Sequence, residues 1–176
     1  MKAKADLQAW QSFIETVFLV DTWVTSNHLK IFSNASGSLG YAAVFGSLWF
    51  GSLWFARAWP SHLQHYHIVV KELLPIVLAL KMWGEQLKKI KSYHFFVIIK
   101  RSLSKQSCKN KSIMKLIRRL VLAALKLNVV FRAKYIAGKR NVIADQLSRF
   151  QFQKVRSVAP WLCQGKTAIS DQSLII

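Results

Sequence analysis

The sequence predicts an α/β fold, one mixed sheet covered by helices, and three observations carry that expectation. Hydrophobic residues make up 52% and aromatic residues 12% of the chain, a globular composition with ample material for a core. The 176 residues suit one well-packed domain and are short for two. Apolar periodicity runs helix, three strands, helix, strand, helix, strand, helix, and strands that alternate with helices after a meander imply a single covered sheet.

The elements follow in order. Leu7, Trp10, Phe13, Ile14 and Val17 recur at helical spacing between Asp6 and Val20, which predicts an N-terminal helix. After the polar break at Thr25 to Asn27, the runs His28 to Ser33, Leu39 to Phe45 and Leu48 to Trp59 are aromatic and β-branched and are separated by Gly and Ser. They predict a three-stranded antiparallel meander. In the third run Gly-Ser-Leu-Trp-Phe occurs at 46–50 and again at 51–55. This period is too short for a repeat architecture, and it predicts a longer hairpin loop or a bulge.

Beyond the polar stretch Pro60 to His67, the residues Leu73, Ile76, Val77, Leu80 and Trp83 predict a helix over Ile68 to Trp83. Pro75 should kink it or mark its first turn. Tyr93 to Ile99 and Asn128 to Ile136 read as strands, Ser112 to Leu127 as an amphipathic helix, and Val142 to Phe150 as a short last helix. The expected organisation is a helix and connection over 1–27, a domain over 28–150 and a tail over 151–176.

The charge narrows the partners. Lys and Arg number 26 against 7 Asp and Glu, a net charge of +19, which attracts polyanions through a salt-sensitive field. Nucleic acid is the first expectation. No membrane span is expected, because Lys71, Glu72 and Lys81 interrupt the most apolar stretch. The acids and amides Asp6, Gln8, Gln11 and Glu15 argue against a secretory leader. Two cysteines, Cys108 and Cys163, in no CxxC pair fit reduced thiols and a nuclear or cytoplasmic protein.

Three segments carry a resemblance. They are Ile31 to Tyr41, with Asn34-Ala35-Ser36-Gly37 at its centre; Lys71 to Leu80, beginning Lys71-Glu72-Leu73; and Asn141 to Arg149, containing Ala144-Asp145-Gln146-Leu147-Ser148. In this order and at these intervals they resemble the ribonuclease H-like region of retrotransposon polyproteins, in particular the DIRS-type, tyrosine-recombinase elements. The resemblance implies a five-stranded sheet, three antiparallel strands and then two parallel ones. It also implies an upstream reverse transcriptase domain as a neighbour, and hydrolysis of the RNA strand of RNA–DNA hybrids with Mg²⁺.

That chemistry places two divalent ions about 4 Å apart, and several anionic oxygens are needed to offset their charge and position the attacking water. By the resemblance the acids fall on position 34, Glu72, the end of the fourth strand and Asp145. Position 34 is Asn34, whose amide brings no charge. Phe95 to Ser102 contains no carboxylate, and Lys100 or Arg101 stands near the expected acid. The catalytic set is therefore Asn34, Glu72 and Asp145, with Glu72 and Asp145 as the metal ligands and a hydrolytic activity that is lost or severely weakened. Each has a plain reading too: Asn34 as turn chemistry, Glu72 turned to solvent beside Lys71, and Asp145 paired with Arg149 at i+4.

Nucleic-acid contacts are expected from Ser36 in the first motif, from Lys109 and Lys111 in the basic stretch Lys100 to Lys115, and from Lys139 and Arg140. The last two stand in Gly138-Lys139-Arg140-Asn141, which resembles the family's Pro-Gly-Lys-x-Asn turn with Ala137 in place of Pro. Trp49, Phe50, Trp54 and Phe55 suit either base stacking or the core. His62, His65 and His67 fit no zinc spacing and read as a histidine-rich loop. Beside the degenerate nuclease stands a rival, a non-enzymatic basic adaptor for nucleic acid or protein, and beside both a decayed copy of the element.

Overall fold

A computed structural model describes residues 7, 8, 11, 30–46, 53–88, 95–97, 110–127, 131–133 and 136–169. Of the expected N-terminal helix, Leu7, Gln8 and Gln11 are helical and exposed. The first Gly-Ser-Leu-Trp-Phe copy beyond Gly46, with Trp49 and Phe50, lies outside the described residues, as does Lys100 to Lys109.

The architecture is mixed α/β. Strands β1 (Lys30–Ala35), β2 (Gly40–Gly46) and β3 (Leu53–Ala58) form an antiparallel sheet in the order β1-β2-β3. The register pairs Phe32 with Val44, Asn34 with Ala42, and Val44 with Trp54. Four α-helices follow among the described residues: α1 (Ile68–Lys88), α2 (Lys111–Lys126), α3 (Val142–Ser148) and α4 (Phe152–Val158). Strands β4 (Phe95–Val97) and β5 (Phe131–Ala133) pair in parallel as a second sheet.

Among the described residues no ladder joins β1 to β4, so the single five-stranded sheet is described as two hydrogen-bonded units. Strands β4 and β5 fall inside the expected runs Tyr93 to Ile99 and Asn128 to Ile136; apart from Ile136, which is not in a strand, the rest of those runs lies outside the described residues.

Alternation along β1 to β3 assigns residues to two faces. On one face Ile31, Ala35, Tyr41, Ala43, Phe45 and Phe55 pack against α1 through Leu73, Ile76, Val77, Leu80 and Trp83, and against α2 through Leu116 and Leu120. On the other, Phe32, Ala42, Val44, Trp54 and Ala56 pack against Ile143 and Leu147 of α3, Val155 of α4, Ala159 and Leu162. The sheet is thus covered on both sides. Trp54 and Phe55 are buried, which decides for the core over base stacking.

Helix α1 begins at Ile68 and runs through Pro75, so the proline sits neither at its first turn nor at its end. Val70, Leu73 and Leu74 before it are buried, and their packing extends the helix N-terminally past a residue that lacks an N–H to bond to the Lys71 carbonyl. The His67 side chain accepts the Val69 N–H at 3.3 Å through Nδ1, so one member of the histidine-rich loop caps the helix. His62, His65 and His67 are all exposed. Asn110 caps α2, its side chain accepting from Ser112 and Ile113 at 2.9 and 3.2 Å.

The stretch read as a tail over 151–176 carries α4, the 3₁₀ turn Pro160–Gln164 and a strap that reaches the far edge of the sheet. Trp54 N–H donates to the Gly165 carbonyl at 2.9 Å, and Thr167 N–H donates to the Trp54 carbonyl at 2.7 Å. Residue Lys166 thereby forms a parallel bridge with Trp54, and the outer edge of β3 is paired there. The Trp54 indole N–H donates to the Leu162 carbonyl, Arg57 to the Ile169 carbonyl at 2.9 Å, and the Trp83 indole to Thr167 Oγ1 at 3.1 Å.

Candidate functional site

The alternation that buries Ile31, Ser33 and Ala35 against α1 turns Lys30, Phe32 and Asn34 toward α3. Asn34 meets α3 at its acidic residue: Nδ2 donates to Asp145 Oδ1 at 2.8 Å and to Ser148 Oγ at 3.1 Å. The Ser148 hydroxyl donates to the Asp145 carbonyl at 2.8 Å, which fixes its lone pairs toward Asn34. The assignment of the amide is chemically forced, because a carboxylate accepts and only the nitrogen of the amide donates.

Arg149 holds the other side of Asp145, its Nε lying 3.2 Å from both Oδ1 and Oδ2. The i+4 pairing read from the sequence is therefore present, and Asp145 takes part in both arrangements at once. Asn141, just before α3, donates from Nδ2 to the Ser33 carbonyl at 2.9 Å and is 6% exposed. It ties the entry of α3 to the same strand.

Glu72 comes from α1, the opposite layer. It is buried at 8% exposure, so the reading that turns it to solvent is corrected by the packing of α1 on the sheet. It lines a cleft of about 60 Å³ with Ser33, Asn34, Ile136, Gly138, Asn141 and Asp145. All three residues of the expected catalytic set thus border one small polar cleft, though 34, 72 and 145 lie far apart in the chain.

Lys71, beside Glu72 in sequence, is 4% exposed. Its ammonium donates to the Gly37 carbonyl at 2.6 Å and the Gln64 carbonyl at 2.8 Å, and lies 5.4 Å from the Trp59 ring centroid. A buried ammonium is tolerable only with such partners. The sequence reading missed this residue, along with Asn141 and Ser148.

The expected nucleic-acid contacts fall in different places. Lys139 and Arg140 are exposed in the 3₁₀ turn Gly138–Arg140, whose Gly138 lines the cleft. Lys111 is exposed at the start of α2, and Lys109 lies outside the described residues. Ser36 is 5% exposed, and its hydroxyl accepts the Leu39 N–H at 3.2 Å, closing the β1–β2 turn. It does not line the cleft.

The residues present do not fit a two-ion Mg²⁺ centre. The cleft has two carboxylates, Glu72 and Asp145, and the latter is engaged by an amide N–H and a guanidinium. Among the described residues there is no group of three or more His, Cys, Asp or Glu side chains suited to a metal ion. No carboxylate occurs in the sequence between Glu85 and Asp145.

No protein-family model and no curated protein matches the chain. Among the described residues no helix is long and apolar enough to cross a membrane.

Proposed function

We propose that this chain is a ribonuclease H-like domain of retroelement origin that binds nucleic acid, RNA–DNA hybrid above all, and has lost hydrolysis. The observation that carries the reading is the hydrogen bond from Asn34 to Asp145 in the cleft that Glu72 also lines. Three positions singled out by resemblance converge in space, which favours the family. The chemistry between them is a donor facing an acceptor, where the family's reaction needs acceptors facing a cation, and this favours an inactive member.

The finer topology belongs to the same proposal. The contact of β4 with β1, and the parallel pairing of β4 with β5, support one sheet in the order β3-β2-β1-β4-β5. The basic balance of the chain, +19, supports a polyanionic partner, and an upstream reverse transcriptase domain would be its natural covalent neighbour.

The test is binding and cleavage of a labelled RNA–DNA hybrid by the purified protein in EDTA, Mg²⁺ and Mn²⁺. Binding that weakens steeply with salt, equal in EDTA and Mg²⁺, with no cleavage, is expected. Cleavage that Glu72→Gln abolishes would overturn the inactive assignment.

The adaptor reading draws on a specific observation. Lys139, Arg140, Arg149, Lys154, Arg156 and Lys166 are all exposed, and Asp145 is the only acid between residues 136 and 169. A hybrid that binds no better than duplex DNA of the same length would favour it.

A further inference from the structure

Beside the polar cleft, on the same side of the sheet, lies a second and larger cavity. It measures about 400 Å³, within the ~300–1,000 Å³ range of small-ligand pockets. Its floor is apolar, from Phe32, Val44 and Ile143, and Trp161 forms a wall that is half exposed. Lys30 and Arg140 stand among its lining residues, and none of those residues is acidic. Asn141 lines both this cavity and the cleft.

We propose that this pocket receives one unpaired nucleotide, its base against Trp161 and Phe32 and its phosphate on Arg140 and Lys30. The proposal rests on the nucleic-acid-binding reading above and names the form of the ligand. An aromatic wall beside guanidinium and ammonium groups matches a nucleotide, which presents a flat π-face and an anion together. A purely aliphatic ligand would use neither the ring nor the charges.

Position supports the choice. Phe32 and Asn34 are successive residues on one face of β1, so pocket and cleft are offset by about 7 Å along the strand. That is about two steps of rise along a nucleic-acid strand. A strand whose backbone follows the Gly138–Arg140 turn, which borders the cleft through Gly138 and the pocket through Arg140, would therefore bring the nucleotide two positions on over the pocket.

Among the described residues, another cleft on this side has a tryptophan with a lysine over its ring. About 260 Å³ in volume, it is lined by Trp54, Leu147, Phe152 and Arg156, and Lys166 Nζ lies 5.9 Å from the Trp54 ring centroid.

The experiment compares binding of the full chain to a blunt RNA–DNA hybrid and to the same hybrid with a short unpaired overhang. Each is measured for wild type, Trp161→Ala and Arg140→Ala, with thermal melts to verify folding. The overhang should tighten wild-type binding roughly 5- to 100-fold, the worth of one stacked base. Trp161→Ala should erase that gain and leave blunt-hybrid affinity unchanged, and Arg140→Ala should reduce the gain. Equal binding of both probes by wild type overturns the pocket while leaving the nucleic-acid reading intact. A gain that survives Trp161→Ala overturns it as well, and failure to bind either probe overturns both readings.

Discussion

The side-chain amide of Asn34 donates a 2.8 Å hydrogen bond to the carboxylate of Asp145 across 111 residues of sequence. The bond joins the first strand to α3, and with Arg149 it satisfies Asp145 without any cation beyond the chain's own. Where the proposed ribonuclease H-like chemistry would call for two acids, a neutral and a charged group are in contact.

Introducing the acid that the proposed relationship would expect at position 34 should therefore be harmful by itself. Asn34→Asp replaces a donor with a second carboxylate at hydrogen-bond distance, and about 1–3 kcal/mol of stability should be lost at neutral pH in EDTA. Millimolar Mg²⁺ or Mn²⁺ should recover part of that loss in urea melts. A variant as stable as wild type in EDTA would mean that the Asn34–Asp145 bond contributes little.

Arg149 should matter less. The Asp145–Arg149 pair is substantially exposed, at 37% and 46%, so Arg149→Ala should cost only ~0.3–0.5 kcal/mol. Raising salt should shrink even that difference. The combination with Asn34→Asp should exceed the sum of the single effects, because both changes act on one carboxylate.

Lys71 should be among the costliest cations to remove. Lys71→Met keeps the aliphatic stem but takes the ammonium from the Gly37 and Gln64 carbonyls, and a loss of about 1–3 kcal/mol is expected by urea denaturation. An exposed lysine such as Lys154 should change stability by less than about 0.5 kcal/mol when replaced.

Gly40 is fixed by a close approach. A Cβ there would collide with the Arg57 carbonyl of the neighbouring strand and lie 2.6 Å from the Phe150 ring. Gly40→Ala should cost about 1–3 kcal/mol, since a backbone carbonyl cannot move aside as a side chain can. Phe150 itself has φ 59, in the left-handed region that non-glycine residues rarely adopt.

Truncation after residue 150 should abolish cooperative unfolding. It removes Val155, Ala159 and Leu162 from the second apolar face and leaves the Trp54 indole without the Leu162 carbonyl. The readout is loss of a sharp thermal transition together with increased binding of a hydrophobic dye.

The meander and the two long helices were legible because their apolar residues recur at periods of two and of 3.6 over many positions. Boundaries were less so. The first strand runs to Ala35, past the expected Ser33, because Asn34 continues the alternation although its side chain suggests a turn. Helix α4 escaped notice because Val155 is its only buried residue among Gln, Lys, Arg and Ser. The meeting of Asn34, Glu72 and Asp145 came from motif order, and no periodicity could give it. The burial of Lys71 was illegible, since its partners are carbonyls of two loops brought together only by the fold.

The strap over Trp54 bears on the order in which the chain matures during synthesis. The sheet face that meets α1 and α2 can close once α2 has emerged, whereas the opposite face waits for Leu162 and Thr167, more than a hundred residues after the tryptophan they bond to. At about 5–20 residues per second, a nascent chain spends several seconds with that apolar face and the β3 edge uncovered. A translation pause shortly before Leu162 would lengthen that exposure, and one shortly after Thr167 has left the ribosome would not.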